Sequence, residues 1–522
     1  MLRKKKRLVL LVMLAAMLAL AACGGSGGGG SDSKGGANSG NGGSSSGGGD
    51  QAAEIDASKL PPYEVILMYP GSPQPDEKLV EEAMNEILKE KINATIDIQP
   101  IDWGAWNDKM NLMFASGEKA DLVFTASWNG HVDNVTKGAF VELDGLLEKY
   151  GQGILETIDP FLLEGARVKG KLYAVPTNKE IAASWGVLVR KDLADKYNMD
   201  FSNVKTLADL EPFLQIIKEN EPDVTPLFQS STQTLVGYVN GYDNFGDPGV
   251  PGSVKFGSTD PTLKYLIEEP EYLENLRLLR SWYLKGYINE DAPTSTLQAN
   301  ETARTGRVFM WPESLKPGKD KEMESTIGFP LTQIEIVPPY ITTADTTNSM
   351  IGISRTSKDP ERAMMVLNLL HTDKELLNLL DWGIEGVHYV KVPGNDNMIK
   401  LPDGVDPSKR AYNHGSQWMF GNQFLSYLWE NEAPDKWEQF RKFNESAEPS
   451  LSLGFTFDPS NVKAELAVLN NIRDEFTAAL ETGSVDPDEV LPKYIEKAKE
   501  AGAYKVLQEK QRQLDEFLAA KK

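Results

Sequence analysis

The chain holds a single cysteine, Cys23, among 522 residues. No disulfide can form within it, so its fold rests on a hydrophobic core and not on cross-links. Histidine is nearly as scarce. His131, His371, His388 and His414 are scattered, and no pair has metal-helix spacing such as H-E-x-x-H. Outside the Gly/Ser-rich stretch 24–49, no G-x-S-x-G elbow and no phosphate-binding loop occur. The acidic turns Asp458-Pro459 and Asp486-Pro487-Asp488-Glu489 lack the D-x-D-x-D-G order of a calcium loop and read as helix starts. No metal and no cofactor are expected. Cations are in deficit too: 54 Lys and Arg face 76 Asp and Glu, for a formal charge of −22. Binding to nucleic acid needs clustered cations, so that partner is not expected. The long apolar run at the start, Leu8–Leu20, is 13 residues, too short for an ordinary spanning helix.

What is present begins with that run. Arg3, Lys4, Lys5, Lys6 and Arg7 precede it, and Leu20-Ala21-Ala22-Cys23 follows. This reads as a signal peptide, residues 1–22, ending in a bacterial lipobox. Lipidation of Cys23 and cleavage before it would anchor the chain to a membrane. Loss of the five leader cations would take the charge from −22 to −27. Gly24–Gly49 is almost wholly Gly, Ser and Asn, a flexible tether within 23–60. Folded sequence begins near Pro61. At 40% hydrophobic, the remainder can build two or three domains.

Tyr63–Tyr69 is an apolar run, as for a strand buried on both faces. Leu79, Val80, Ala83, Met84, Ile87 and Leu88 follow at helical spacing. Ala94–Ile98, Trp106–Ala115 and Asp121–Thr125 continue the alternation as strand, helix and strand. This order predicts a parallel sheet, with ligands beyond the carboxyl ends of its strands. Further on, Thr206–Asp209 resembles a capping box, Leu273–Lys285 is amphipathic, and the tail reads as helices broken at Gly483 and Gly502.

The stretch Val168–Asp192 has a different character. Its two apolar runs, Leu172–Val175 and Gly186–Val189, flank Pro176 and the polar Thr177–Ser184. A strand that stops, crosses and restarts suggests a chain passing between two lobes. Together with M-F-A-S-G-E-K-A-D-L-V-F, T-G-R-V-F-M-W at 305–311 and M-I-G-I-S-R-T-S-K-D-P at 350–360, it resembles the extracellular solute-binding proteins of ABC importers. The tail, with G-F-T-F-D-P and E-K-Q-R-Q-L-D, is similar to that of the LipO-type polysaccharide-associated lipoproteins of this family. The resemblance covers roughly 60–520. It implies a two-lobed α/β fold of the periplasmic-binding-protein type II, each lobe a mostly parallel sheet flanked by helices, with three crossings and a helical C-terminal region. On that basis 61–178 and 335–395 form lobe 1, and 179–334 and 396–522 form lobe 2. It also implies a monomer that hands an oligosaccharide to ABC permease subunits at the extracytoplasmic face of the membrane.

A sugar site needs aromatic platforms for C–H faces and side chains that both donate and accept. Among the tryptophans, Trp128, Trp311 and Trp382 fall in or beside loops where the family places its cleft. Tyr69 ends the first strand, Trp185 sits by the crossing, and Tyr389 follows the G-I-E-G-V-H loop. Trp311 is placed at the end of a short strand that Pro312 turns into a loop. Trp282, Trp429 and Trp437 read as core, while Trp103 and Trp106 stay undecided. Asn129, Asn178, Lys179, Glu180, Asp345 and Asn348 are the polar candidates. Lys179 or Arg304 would pair with a carboxylate if the sugar were acidic. No catalytic residue is assigned. Two other readings stay open: a surface-anchored carbohydrate-active enzyme, and a binding protein for a peptide or another solute.

Overall fold

A computed structural model describes residues 56–245, 251–406 and 410–521. The leader, Cys23, the tether and residues 246–250 lie outside the described residues. Fifteen strands follow in order: β1 Tyr63–Pro70, β2 Ala94–Ile101, β3 Leu122–Thr125, β4 Ala174–Pro176, β5 Ala183–Arg190, β6 Thr225–Leu227, β7 Tyr242–Asp243 and β8 Val254–Lys255. They continue with β9 Val308–Leu315, β10 Leu331–Ile341, β11 Met350–Ile353, β12 Val390–Val392, β13 Asn395–Lys400, β14 Leu428–Trp429 and β15 Glu448–Pro449.

Two five-stranded sheets carry the fold. The first runs β2-β1-β3-β11-β4 and the second β15-β10-β5-β9-β6. In each, four strands point one way and one points the other. The reversed strand is β11 in the first sheet, antiparallel to β3 and β4. In the second it is β5, antiparallel to β10 and β9. This is the mostly parallel, two-lobed α/β architecture that the resemblance implies. The expected elements are present with shifts of a few residues, including the capping box at Thr206 and Asp209.

The local chemistry explains the first lobe. Val80, Met84, Leu88 and Ile92 lie four apart on the helix Glu77–Ile92 and are all buried against the sheet. Asn93 ends that helix at φ 48°, a conformation asparagine tolerates better than most residues. Asp121 is fully buried, yet it accepts from the Tyr63 hydroxyl at 2.7 Å and the Ile66 amide at 2.9 Å. Arg362 is also buried and donates to the Pro61 and Asn93 carbonyls, tying the helix Pro360–Thr372 to the start of β1.

The second sheet is covered on both faces. Val187 and Val189 point into one cluster, and Leu188 into another with Val308, Trp311 and Leu331. The tail supplies the helices Lys463–Glu481, Pro487–Glu500 and Ala503–Ala520. Gly483 breaks them at φ 76°, and an added Cβ there would sit 2.3 Å from the Leu279 carbonyl oxygen.

Three connections join the lobes: 177–182, 342–349 and the passage from the helix Lys436–Ser446 through β15 to the helix Lys463–Glu481. The second comes later than 335, because β10 runs on to Ile341 and pairs with β5 as far as Tyr340 and Ala183. Nor does everything beyond 396 join the second lobe. Tyr412, Met419, Phe420 and Phe443 pack in the first core. The loop carrying the first three is bonded to the helix Lys374–Trp382, through Tyr412 to the Leu380 carbonyl and Gln417 to that of Asp381.

The connections are bonded to one another and to the second lobe. Asp243 of β7 is buried and accepts from the hydroxyls of Ser450 (2.7 Å) and Ser452 (2.5 Å) in the third connection. Thr343, in the second, accepts from the Gly454 amide at 2.9 Å. In the first, Glu180 takes Lys316 from the end of the second sheet at 3.1 Å. Burial opposes its charge, but Lys179 and Lys316 hold its carboxyl at about 2. No helix among the described residues is long and apolar enough to cross a membrane.

Candidate ligand cleft

Parallel strands expose their loops at their carboxyl ends, and β3 ends at Thr125. The loop beyond it, Ala126–Gly130, forms one wall of a cavity of about 670 Å³. Trp128 and Val132 line it from the first lobe, and Phe245, Phe455 and Phe457 from the second. Thr343, Ala344 and Thr347 of the second connection form its floor. A smaller cavity of about 200 Å³ lies on the other side of Ala344, which lines both. Trp185, Tyr238, Phe256, Asp243 and Asp345 line it.

Aromatic rings are prominent in both. Trp128 is 55% exposed, and its Nε1 donates to the Asn348 carbonyl at 2.8 Å, which fixes the plane of the indole. Trp103, 50% exposed, stacks on it at 6.0 Å and 27°. At the smaller cavity, Trp185 stacks on Phe256 at 5.7 Å and 14°, and Phe256 on Tyr340 at 4.2 Å and 13°. Such a row presents flat apolar faces with polar edges beside them. Asp345 supplies an acceptor. Burial pushes its carboxyl up to about 6, and Asp243 adds to that, while bonds from the Thr342 amide and hydroxyl pull it down.

Of the residues singled out from the sequence, Trp128, Trp185 and Asp345 line these cavities, with Asn129 beside Trp128. Asn348 contributes its carbonyl, not its side chain. The other candidates go elsewhere. Tyr69 is buried and meets Phe420 edge-on at 5.0 Å, so it packs the core under the loop. Asn178 is buried and donates to the Thr157 carbonyl, Lys179 to that of Glu180, and Glu180 is held by Lys316; all three brace the first connection. Trp382 donates to Ser426 and packs on Trp429, and Tyr389 is buried beside Tyr427; neither lines these two cavities.

Trp311 is the main correction. It is fully buried within β9, which continues through Pro312 to Leu315. Phe228 donates to the Met310 carbonyl, so that side of β9 faces β6. The missing N–H of Pro312, two residues on, points the same way, past the end of β6 at Leu227. The proline therefore costs no ladder bond, and the strand does not stop.

Phe245, Phe256, Phe455 and Phe457 are cleft residues that the sequence reading does not single out. A signal did exist: G-Y-V-N-G-Y-D-N at 237–244 alternates aromatics with glycine and short polar side chains.

Two lobes joined by three connections over an aromatic cleft are the architecture of a solute-binding protein. Known proteins agree. The family of bacterial extracellular solute-binding proteins matches residues 69–375, and a domain of unknown function, DUF3502, matches 451–519. A carbohydrate ABC transporter substrate-binding protein of Streptococcus pneumoniae is 35% identical, over 88% of this chain and 92% of that protein. The chain belongs to the bacterial extracellular solute-binding proteins. The crystal structure of the N-glycan transport solute binding protein NgtS from Streptococcus pneumoniae is similar at a TM-score of 0.78 and 32% identity, over 88% of this chain and all of that one. For NgtS in complex with Man1GlcNAc and with Man5GlcNAc, at the same coverage, the scores are 0.67 and 0.63.

Proposed function

We propose that this chain is the substrate-binding protein of an ABC importer and that it captures an oligosaccharide between its lobes. The observation that carries this reading is the two aromatic surfaces, Trp128 with Trp103 and Trp185 with Phe256, beside adjoining cavities. Sugar C–H faces stack on such rings, and Asp345 accepts from hydroxyls beside them. The names of its relatives support it, since both S. pneumoniae proteins are carbohydrate or glycan binders by name.

Capture proceeds by hinge rotation. The open lobes expose both surfaces, and closure buries ligand between them, at the expense of ordering the lobes. The lower similarity to the glycan complexes of NgtS supports a cleft whose shape changes with ligand. The closed form is what a permease would recognise. Lipid on Cys23 would hold the chain near that permease, with 24–49 as its tether, and one copy suffices.

Calorimetry against a panel of oligosaccharides, with small-angle scattering of the same samples, tests the reading. A saccharide that binds and lowers the radius of gyration is expected. Turnover of a bound saccharide would point to an enzyme, and binding of peptides alone would replace the sugar reading. For the anchor, Cys23→Ala is expected to leave the membrane fraction; equal retention of the mature wild type and variant would refute lipidation there.

A further inference from the structure

Trp128 also lines a depression that the inter-lobe cavity does not include. It has a volume of about 310 Å³ and lies between the helices Trp106–Ser116 and His131–Thr136, with β3 beneath. A further depression of about 160 Å³ shares Asn111, Phe114, Asn134 and Lys137 with it and extends to Arg355. Together they make a groove that runs from Trp128 along the first lobe beside an 11-residue helix, roughly 16 Å at ~1.5 Å per residue.

The chemistry of this groove is uniform. Its rim carries Asn107, Asn111, Asn129 and Asn134, with Asp133 and Lys137 adding one charge of each sign. Among the described residues, none of the four carboxamides bonds to another protein group. Elsewhere the chain uses such amides as braces, as with Asn178 and Asn444. Each carboxamide offers donors and an acceptor, which matches a sugar hydroxyl that does both. The floor is aromatic, from Phe114, Phe124 and Phe140. Every lining residue belongs to the first lobe, so the groove is complete before the lobes close.

We propose that this groove is a second arm of the site, which takes one branch of a branched neutral oligosaccharide while the main chain lies in the inter-lobe cavity. Trp128 stands at the fork because it lines both spaces. The assignment rests on the carbohydrate reading above. The branch adds affinity as a tethered second point of attachment without changing the degree of closure.

The test uses paired probes: linear and branched oligosaccharides of mannan, xyloglucan and arabinoxylan, measured by calorimetry on the wild type and on Asn111→Leu/Asn134→Leu. Both positions are at the surface, and an unchanged Tm verifies the fold. In the wild type, the branched member of one pair is expected to bind roughly 10-fold tighter than its linear partner, a difference of about 1.4 kcal/mol. The double variant should erase that difference and leave linear affinity unchanged. Branched probes should also slow amide exchange in 106–116 and 131–137, where linear probes do not. Linear and branched probes binding alike in the wild type would overturn the branch site and leave the carbohydrate reading standing. So would equal weakening of both by the variant. If no saccharide binds at all, both readings fall.

Discussion

The two lobes share a sheet plan but spend their tryptophans differently. In the first, Trp106 is buried, but Trp103, Trp128 and Trp418 are between 36% and 55% exposed, on loops or turns. In the second, Trp282 and Trp311 are fully buried. Its cleft face is built instead from Trp185, Tyr238 and Phe256. The reason is the length of the strands. β3 is four residues and stops early, so Trp128 clears the sheet. β9 is eight residues and carries Trp311 into the middle of a covered sheet. Where a tryptophan stands along its strand therefore decides whether it packs or binds.

The contrast can be broken most directly at Trp311. Trp311→Ala should cost about 3–5 kcal/mol of stability by opening a cavity, with affinity per folded molecule unchanged. Denaturant unfolding and calorimetry on one variant check both. Lost affinity in a variant of wild-type stability would return Trp311 to the cleft.

The next largest effect separates the lobes by acid. All four histidines lie with the first lobe, and burial lowers three of them: His131 to about 4, His371 to about 3 and His414 to about 4. A base lowered in the fold contributes stability that is present above its unfolded pKa near 6.5 and is lost as pH falls through the folded value. Each loses up to about 1.4 kcal/mol per pH unit over that window. Asp381, pushed up to about 8 by burial, and Glu77, raised the same way, work the other way in the same lobe, but two groups oppose three. In the second lobe burial raises Glu481, which favours the fold as pH falls. Between pH 6.5 and 4, amide exchange corrected for intrinsic rate should therefore quicken more in β1 and β3 than in β5 and β9. Equal change in both sheets would refute the asymmetry.

Trp128→Ala comes third. Removing an exposed platform should weaken ligand binding roughly 5- to 30-fold, about 1–2 kcal/mol, with a small change in Tm. A large fall in Tm with affinity intact would make it a packing residue. The smallest effect is at Asp345. Its carboxyl titrates near 6, so affinity should decline modestly from pH 7 to pH 5 as the acceptor is protonated. Asp345→Asn should flatten that profile; an unchanged slope would assign the pH dependence elsewhere.

Much of the first lobe is legible in the chain because its signals are local. Tyr63–Tyr69 is a run of apolar residues, and Val80, Met84 and Leu88 repeat every fourth position. The crossing at Pro176 is marked by composition. The cleft is less legible because its walls are set by distant neighbours. A proline after Trp311 reads as a strand end; only the early stop of β6 at Leu227 leaves its missing donor harmless. Phe256 follows a hairpin of two-residue strands, too short to show a period. Tyr69 and Trp128 both end apolar runs, and nothing local says that Phe420, far along the chain, covers one of them.

The bonds of Thr343 to Ser452 and Gly454, from the second connection to the third, have a mechanical meaning. Three independent straps between two bodies would let them twist and slide as well as fold. Bracing two of the straps to each other removes most of that freedom and leaves rotation about one line. The closure proposed above then has a single coordinate, and every molecule that shuts arrives with the same face turned outward.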